Sequence, residues 1–239
     1  MERMKFVVHM TTFPPRYNSL SDVLGSWHRQ CVPVEKVVIT VCTTDPRHTS
    51  MDTLESYTST FPKTVWQTME TRDYGAHKKI LGALLYYESL QVDEKDNVCV
   101  LICDDDISYD PGVVGSYAEA LEIDGSCAYT HYEPSQRIPP MNHVQGADTY
   151  LLPPQFLKRT SFQEYKEYVD KVLEECPDAF FQDDYVISFF LYWHCHIPVR
   201  TVLHPLRYKT VHFIEEMHRH PKRHEREGNT IRYLKSLLS

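Results

Sequence analysis

Three aspartates in a row, Asp104, Asp105 and Asp106, end an uncharged apolar run from Val98 to Cys103. The run has the length and β-branched content of a strand buried on both faces. Adjacent carboxylates repel one another, and a carboxylate drawn out of water is costly unless paired or bound to a metal. A cation is therefore their natural partner, and a hard ion such as Mg2+ or Mn2+ suits an all-oxygen site completed by phosphates and water. The plainer account is a solvated acidic turn. Asp110-Pro111 then closes the loop and opens the next helix.

Four further stretches carry residues of chemical interest. Thr11-Thr12-Phe13-Pro14-Pro15-Arg16 follows the first apolar run, with two prolines to fix the backbone and an arginine able to reach an anion. Asp73-Tyr74-Gly75-Ala76-His77-Lys78-Lys79 precedes a helix; Gly75 permits a tight turn, and a lysine at a helix start opposes the dipole unless an anion shares the site. An ordinary helix entrance is the alternative. Gln145-Gly146-Ala147-Asp148 leads into a short strand stopped by Pro153-Pro154. Gln182-Asp183-Asp184 opens a hydrophobic helix, where two aspartates in the first turn can be plain caps.

The elements that must position these residues follow from periodicity. Strands are expected at Lys5 to His9, Val37 to Val41, Thr64 to Met69, Val98 to Cys103, Cys127 to Thr130, Thr149 to Leu152 and Pro198 to Val202. Helices are expected from Ser19 or Ser21 to about Gln30, near Met51 to Thr60, after Lys79, at Val113 to Glu122, and from a capping box at Ser161 and Glu164 to Cys176. In the last helix Val186, Phe189, Phe190 and Trp193 keep helical spacing toward the core. His131 to Asn142, with three prolines and no periodicity, reads as a loop over a site. Such alternation predicts an α/β fold, a mostly parallel sheet flanked by helices with ligands at the carboxyl ends of the strands.

With 239 residues and 42% hydrophobic content the chain is expected to be one domain, 1–239. The net charge of −8 argues against nucleic-acid binding, which needs a basic face. The imbalance is uneven: His204 to Ser239 holds 8 Lys+Arg against 4 Asp+Glu, so the tail is +4 and the rest −12. Such a tail could close over an anionic ligand or be a solvated surface segment. No apolar run is long enough for a signal segment or a membrane span, which predicts a soluble, cytoplasmic protein. The seven cysteines are odd in number and form no CxxC pair, so they read as reduced thiols. With 8 glycines there is neither a Walker loop nor a GxGxxG turn.

In their order, these motifs resemble the GT-A glycosyltransferases, Rossmann-like single-domain enzymes that transfer sugar from a nucleotide diphosphate sugar. The resemblance rests on the Thr-Thr-Phe-Pro-Pro-Arg loop, Tyr-Gly-Ala-His-Lys-Lys79, Asp104-Asp105-Asp106 as a DxD motif, Gly146-Ala147-Asp148, and Gln-Asp183-Asp184, covering Phe6 to about Trp193. It is strongest to the small single-domain members of bacteria and large viruses. It implies a nucleotide-binding half, about 1–110, and an acceptor half, about 111–239, ending in the basic tail. By resemblance, Asp106 and Asp104 hold Mn2+ or Mg2+ with His212 as a further ligand, and Asp105 supports them. Thr11, Thr12, Arg16, Asp73, Lys79, Asp104 and Asp105 would form the nucleotide site. Gly146, Ala147 and Asp148 would face the donor sugar, and Asp184, with Asp183 beside it, would be the base of an inverting reaction on a glycan or other hydroxyl acceptor. The helix dipole is expected to keep Asp184 ionised. UDP is favoured as the nucleotide because it is the commonest in the family.

Two rivals come from other classes. A metal-dependent phosphohydrolase or nucleotidyltransferase would also cluster aspartates. A non-catalytic carbohydrate-binding or zinc-binding protein would use His194-Cys195-His196 and the histidines from His218 to His224, a poor match to zinc spacing.

Overall fold

The structure, a computed structural model, describes residues 4–13, 16–17, 20–42, 60–133, 137–202, 209–210 and 222–238. The expected helix at Met51 to Thr60 therefore lies outside the described residues except for Thr60, and Pro14, Pro15, Ser19, His204, Arg207 and His212 lie outside them altogether.

The uncharged runs are strands covered on both sides. β1 (Lys5–Thr11), β2 (Lys36–Cys42), β3 (Thr64–Met69), β4 (Val98–Ile102), β6 (Ala128–Thr130), β7 (Tyr150–Leu152) and β8 (Val199–Thr201) form one sheet in the order β3-β2-β1-β4-β7-β6-β8. β5 (Ile107–Ser108) pairs separately with β9 (Lys209–Thr210), so the basic tail returns to the loop just beyond the aspartate triplet. Within the large sheet only β7 runs against its neighbours; β1, β2, β3 and β4 are mutually parallel, and β8 is parallel to β6.

Alternate residues of each strand feed two separate apolar layers, which is why the runs show no polar alternation. Val7, Val38, Val100 and Ile102 pack on one face, against Ile80, Leu81 and Leu84 of α2 (Lys78–Ser89), together with Tyr165 of α4 (Phe162–Glu175) and Phe190. Phe6, Val8, Met10, Ile39, Cys99 and Leu101 point the other way, onto Leu20, Val23, Leu24 and Trp27 of α1 (Leu20–His28) and Val113, Val114 and Tyr117 of α3 (Val113–Ile123). Ser21 falls inside α1 rather than capping it. Ser161 does cap α4 as expected, its Oγ accepting from the Glu164 N–H at 3.1 Å.

The helix opened by the second aspartate pair is short. α5 (Asp183–Phe189) passes at once into a π turn, Phe190–His194, whose extra residue rotates the chain. Trp193 is thereby carried out of the core position its spacing predicts and is 36% exposed, whereas Phe190 is fully buried. A C-terminal helix, α6 (Arg223–Ser236), docks Leu234 against Tyr185 and Phe189 of α5. Glu227 on α6 accepts from the Tyr185 hydroxyl at 2.7 Å. The cysteines are free thiols, five of them buried, at 42, 99, 103, 127 and 176.

Candidate active site

The motifs around Thr11, Asp73 and Asp104 follow the ends of parallel strands and Gly146 precedes β7, all along the carboxyl edge of the sheet, while Asp183 and Asp184 reach that edge from the start of α5. β1 ends at Thr11, β3 at Met69 and β4 at Ile102, so their following loops lie along one edge of the sheet.

Two cations pair with the aspartate triplet. Arg16, stacked over the Phe13 ring at 5.1 Å, donates from Nη1 to Asp105 at 2.5 Å and lies 3.2 Å from Asp106 Oδ2. Lys79 donates from Nζ to Asp104 Oδ1 at 2.7 Å and stands 3.1 Å from Asp183 Oδ2. The anions expected to offset the lysines at the start of α2 are thus the protein's own carboxylates. Lys78 is likewise paired, with Asp73 Oδ1 at 2.6 Å, an oxygen that also accepts the Gly75 N–H at 2.9 Å.

Gly146 is the junction. Its carbonyl accepts the Asp104 N–H and the Tyr109 hydroxyl, each at 3.3 Å, and its own N–H donates to Asp184 Oδ1 at 3.0 Å. A Cβ at this position would lie 2.7 Å from both Asp104 Oδ1 and Lys79 Nζ, so any larger residue would have to displace that pair. The structure therefore brings together Arg16, Lys79, Asp104, Asp105, Asp106, Gly146, Asp183 and Asp184. Tyr109, which the sequence reading passed over, joins them; its one signal was its place three residues beyond Asp106.

Other expected site residues lie on the same edge with different engagements. Thr11 donates from Oγ1 to the Thr40 carbonyl of β2 at 2.8 Å. Thr12 is buried at the end of β1 with no hydrogen-bond partner for its hydroxyl. Ala147 and Asp148 complete the single helical turn begun by Gly146 and are partly exposed.

The electrostatics of the two carboxylates with assigned chemistry run in one direction. Burial, reinforced by Asp104 and only partly offset by Arg16, pushes the Asp106 carboxyl up to about 6. Burial and then the neighbouring Asp183 push Asp184 well above the ordinary carboxylate range, with Lys79 and the Gly146 N–H opposing. The expectation that the helix dipole dominates at Asp184 is corrected here: desolvation and a like charge outweigh it. Nor is Asp184 occupied as a cap, since its hydrogen bond comes from Gly146 rather than from its own helix.

A divalent cation fits this donor set. Five carboxyl groups, Asp104, Asp105, Asp106, Asp183 and Asp184, face two cations, Arg16 and Lys79. Asp105 Oδ2 is buried without a hydrogen-bond partner. Among the described residues no group of three or more His, Cys, Asp or Glu forms a ready cage. Of the residues the zinc reading would use, His194 Nε2 is 3.0 Å from Glu164 and Cys195 Sγ is 3.6 Å from the Thr160 hydroxyl, and His218 and His220 lie outside the described residues.

Comparison with solved structures places the fold. The chain aligns with the mannosyltransferase PcManGT from Pyrobaculum calidifontis, solved in complex with GDP-Man and Mn2+, at a TM-score of 0.53 and 12% identity, over 85% of this chain and 56% of that one. It aligns with S. aureus TarS 1-349 in complex with UDP at a TM-score of 0.50 and 17% identity, over 82% of this chain and 58% of that one. The chain thus spans about half the length of the structures it matches. No family model matches the sequence, and no curated protein does. The fold is the GT-A glycosyltransferase fold implied by the motifs. No helix among the described residues is long and apolar enough to cross a membrane.

Proposed function

We propose that this chain is a metal-dependent glycosyltransferase that moves a sugar from a nucleoside diphosphate sugar, UDP-linked in the first instance, to a hydroxyl of a glycan or other acceptor with inversion. The observation that carries the reading is the joint at Gly146, where the aspartate triplet and the Asp183-Asp184 pair meet through Lys79 at the carboxyl edge of the sheet. One carboxylate group suits a metal and diphosphate, the other a proton acceptor, and they stand side by side. The fold shared with a mannosyltransferase that binds GDP-Man and Mn2+ supports the same reading.

Asp106, with Asp104, would hold Mn2+ or Mg2+, which when bound supplies Lewis-acid neutralisation of the departing diphosphate. Arg16 fixes Asp105 and faces Asp106, so the loop after β1 is held against the triplet. Thr12, whose buried hydroxyl has no hydrogen-bond partner, borders the proposed nucleotide site at the end of β1. Asp148 offers a carboxylate near the donor sugar, and Asp73 borders the nucleotide site through its turn at Gly75.

Asp184 takes the proton from the acceptor hydroxyl as that oxygen attacks the anomeric carbon. Its raised affinity for a proton makes it a better base than a solvated carboxylate. Asp183, tied to Lys79, keeps the pair oriented. His212, offered by resemblance as a further metal ligand, belongs to the tail beyond β9 and outside the described residues.

The test is direct. The purified chain is incubated with UDP- and GDP-sugars, with Mn2+ or with chelator, and release of nucleoside diphosphate and the anomeric configuration of the product are measured. Metal-dependent release with an inverted product is expected; equal release in excess chelator defeats the proposal.

A further inference from the structure

Lys79 occupies a place that is unfavourable to a cation on two counts. It is 3% exposed, and it lies in the first turn of α2, where the helix dipole is positive. A buried ammonium is tolerated only when its partners are fixed. Those partners come from opposite sides of the reaction: Asp104 from the end of β4, at 2.7 Å, and Asp183 from the start of α5, at 3.1 Å. Gly146 presses against the pair and hands its N–H to Asp184. Four segments distant in sequence thus meet at one ammonium, which is hydrogen-bonded to Asp104 and ion-paired with Asp183.

We propose that Lys79 is a positioning residue rather than a phosphate ligand: its ammonium ties the donor-side Asp104 to the acceptor-side Asp183 and so sets where Asp184 stands relative to the departing diphosphate. This rests on the glycosyltransferase reading above. It departs from the sequence expectation, in which Lys79 contacts the nucleotide. The ammonium is directed to carboxylates that are part of the protein, and Gly146 closes the space against it. Loss of the tie leaves nucleotide binding to Arg16, Thr12 and the triplet, while the base loses its registration. Misplacing a reacting group by an ångström costs on the order of a hundredfold in rate.

Two variants test the role. Lys79→Met removes the ammonium; Gly146→Ala keeps every charge but drives a methyl group into the Lys79–Asp104 contact. Affinity for UDP and for GDP in the presence of Mn2+ is measured by calorimetry, and kcat and KM by nucleoside diphosphate release from the donor the wild type uses. Both variants are expected to bind nucleotide within about threefold of wild type, with kcat lower by about a hundredfold. A loss of nucleotide affinity of about tenfold or more in Lys79→Met would make the lysine a phosphate ligand. A kcat within about threefold of wild type in both would make it a bystander. Should Lys79→Met fail to fold, Gly146→Ala decides alone. An active wild type with unaffected variants overturns only the positioning role. A wild type that releases no nucleoside diphosphate from any donor overturns the glycosyltransferase reading, and this inference with it.

Discussion

Gly146 donates its backbone N–H to Asp184 Oδ1 at 3.0 Å, joining residues 38 apart in sequence. That bond holds a carboxylate whose proton affinity is raised, first by burial and then by Asp183. Because the ionised form is the base, activity is lost as pH falls through the raised value. The acid limb of kcat is therefore expected above the ordinary carboxylate range, and Asp183→Asn, which removes the like charge, should move it downward. Asp184→Asn should lower kcat by about a hundredfold or more, the usual loss when a general base is removed. Rate–pH profiles of the three proteins check this; an Asp184→Asn enzyme within about tenfold of wild type would remove the residue from the chemistry.

Asp106 should govern the metal. With its carboxyl pushed up to about 6, protons compete with a divalent cation below that pH. Mn2+ affinity, read by calorimetry with UDP present, is expected to weaken below pH 6 by up to about tenfold per unit for a single displaced proton. Asp106→Asn should abolish chelator-sensitive activity while the circular dichroism spectrum and melting cooperativity stay native. Retained Mn2+ affinity in Asp106→Asn would pass the metal to Asp104 alone.

Strand runs, most helix spans and the convergence of the motifs at one sheet edge were legible because they depend on local apolar pattern and on a general property of parallel sheets. The reversed direction of β7 was not: Tyr150, Leu151 and Leu152 are apolar in either orientation. Trp193 was misplaced because periodicity assumes a continuous α-helix, and the π turn breaks it. The partners of the site residues were hidden for a different reason. Asp104, Lys79, Gly146 and Asp183 are each recognisable as chemistry-bearing, but which carboxylate each cation meets is fixed by tertiary approach. Helix α6 carries its signal in Ile231 and Leu234, three residues apart, inside a stretch whose basic charge drew the attention instead.

Gly75 adopts φ +58°, and a Cβ there would lie 2.7 Å from the Phe180 carbonyl oxygen and 2.8 Å from its ring. Gly75→Ala therefore combines a left-handed backbone with a clash, and a destabilisation of about 1–3 kcal/mol is expected. Urea denaturation measures it. Phe180 precedes Asp183 by three residues, so kcat should fall as well, with nucleotide affinity less affected. An alanine variant as stable as wild type would mean that the turn relaxes freely.

His9 is the clearest source of acid sensitivity outside the site. It lies on β1, fully buried, edge-on to Tyr86 at 5.4 Å, with no hydrogen-bond partner for either ring nitrogen. Burial lowers its pKa from 6.5 to about 3. The native state thus excludes a proton that the unfolded chain takes up below pH 6.5. Stability from this group is fully present above 6.5 and is lost as pH falls through 6.5 toward 3, at up to about 1.4 kcal/mol per pH unit. Asp106, pushed up to about 6, and the buried His77 also respond in this interval, so His9 is isolated by comparison with a variant that lacks only its ring. His9→Leu, similar in volume and without nitrogens to leave unsatisfied, is expected to flatten the stability profile there. Urea unfolding of both proteins at pH 7, 6 and 5 reads the difference. It should favour the variant increasingly, by about 1–2 kcal/mol between pH 7 and 5. A difference that does not change with pH would show that His9 titrates normally in the folded chain.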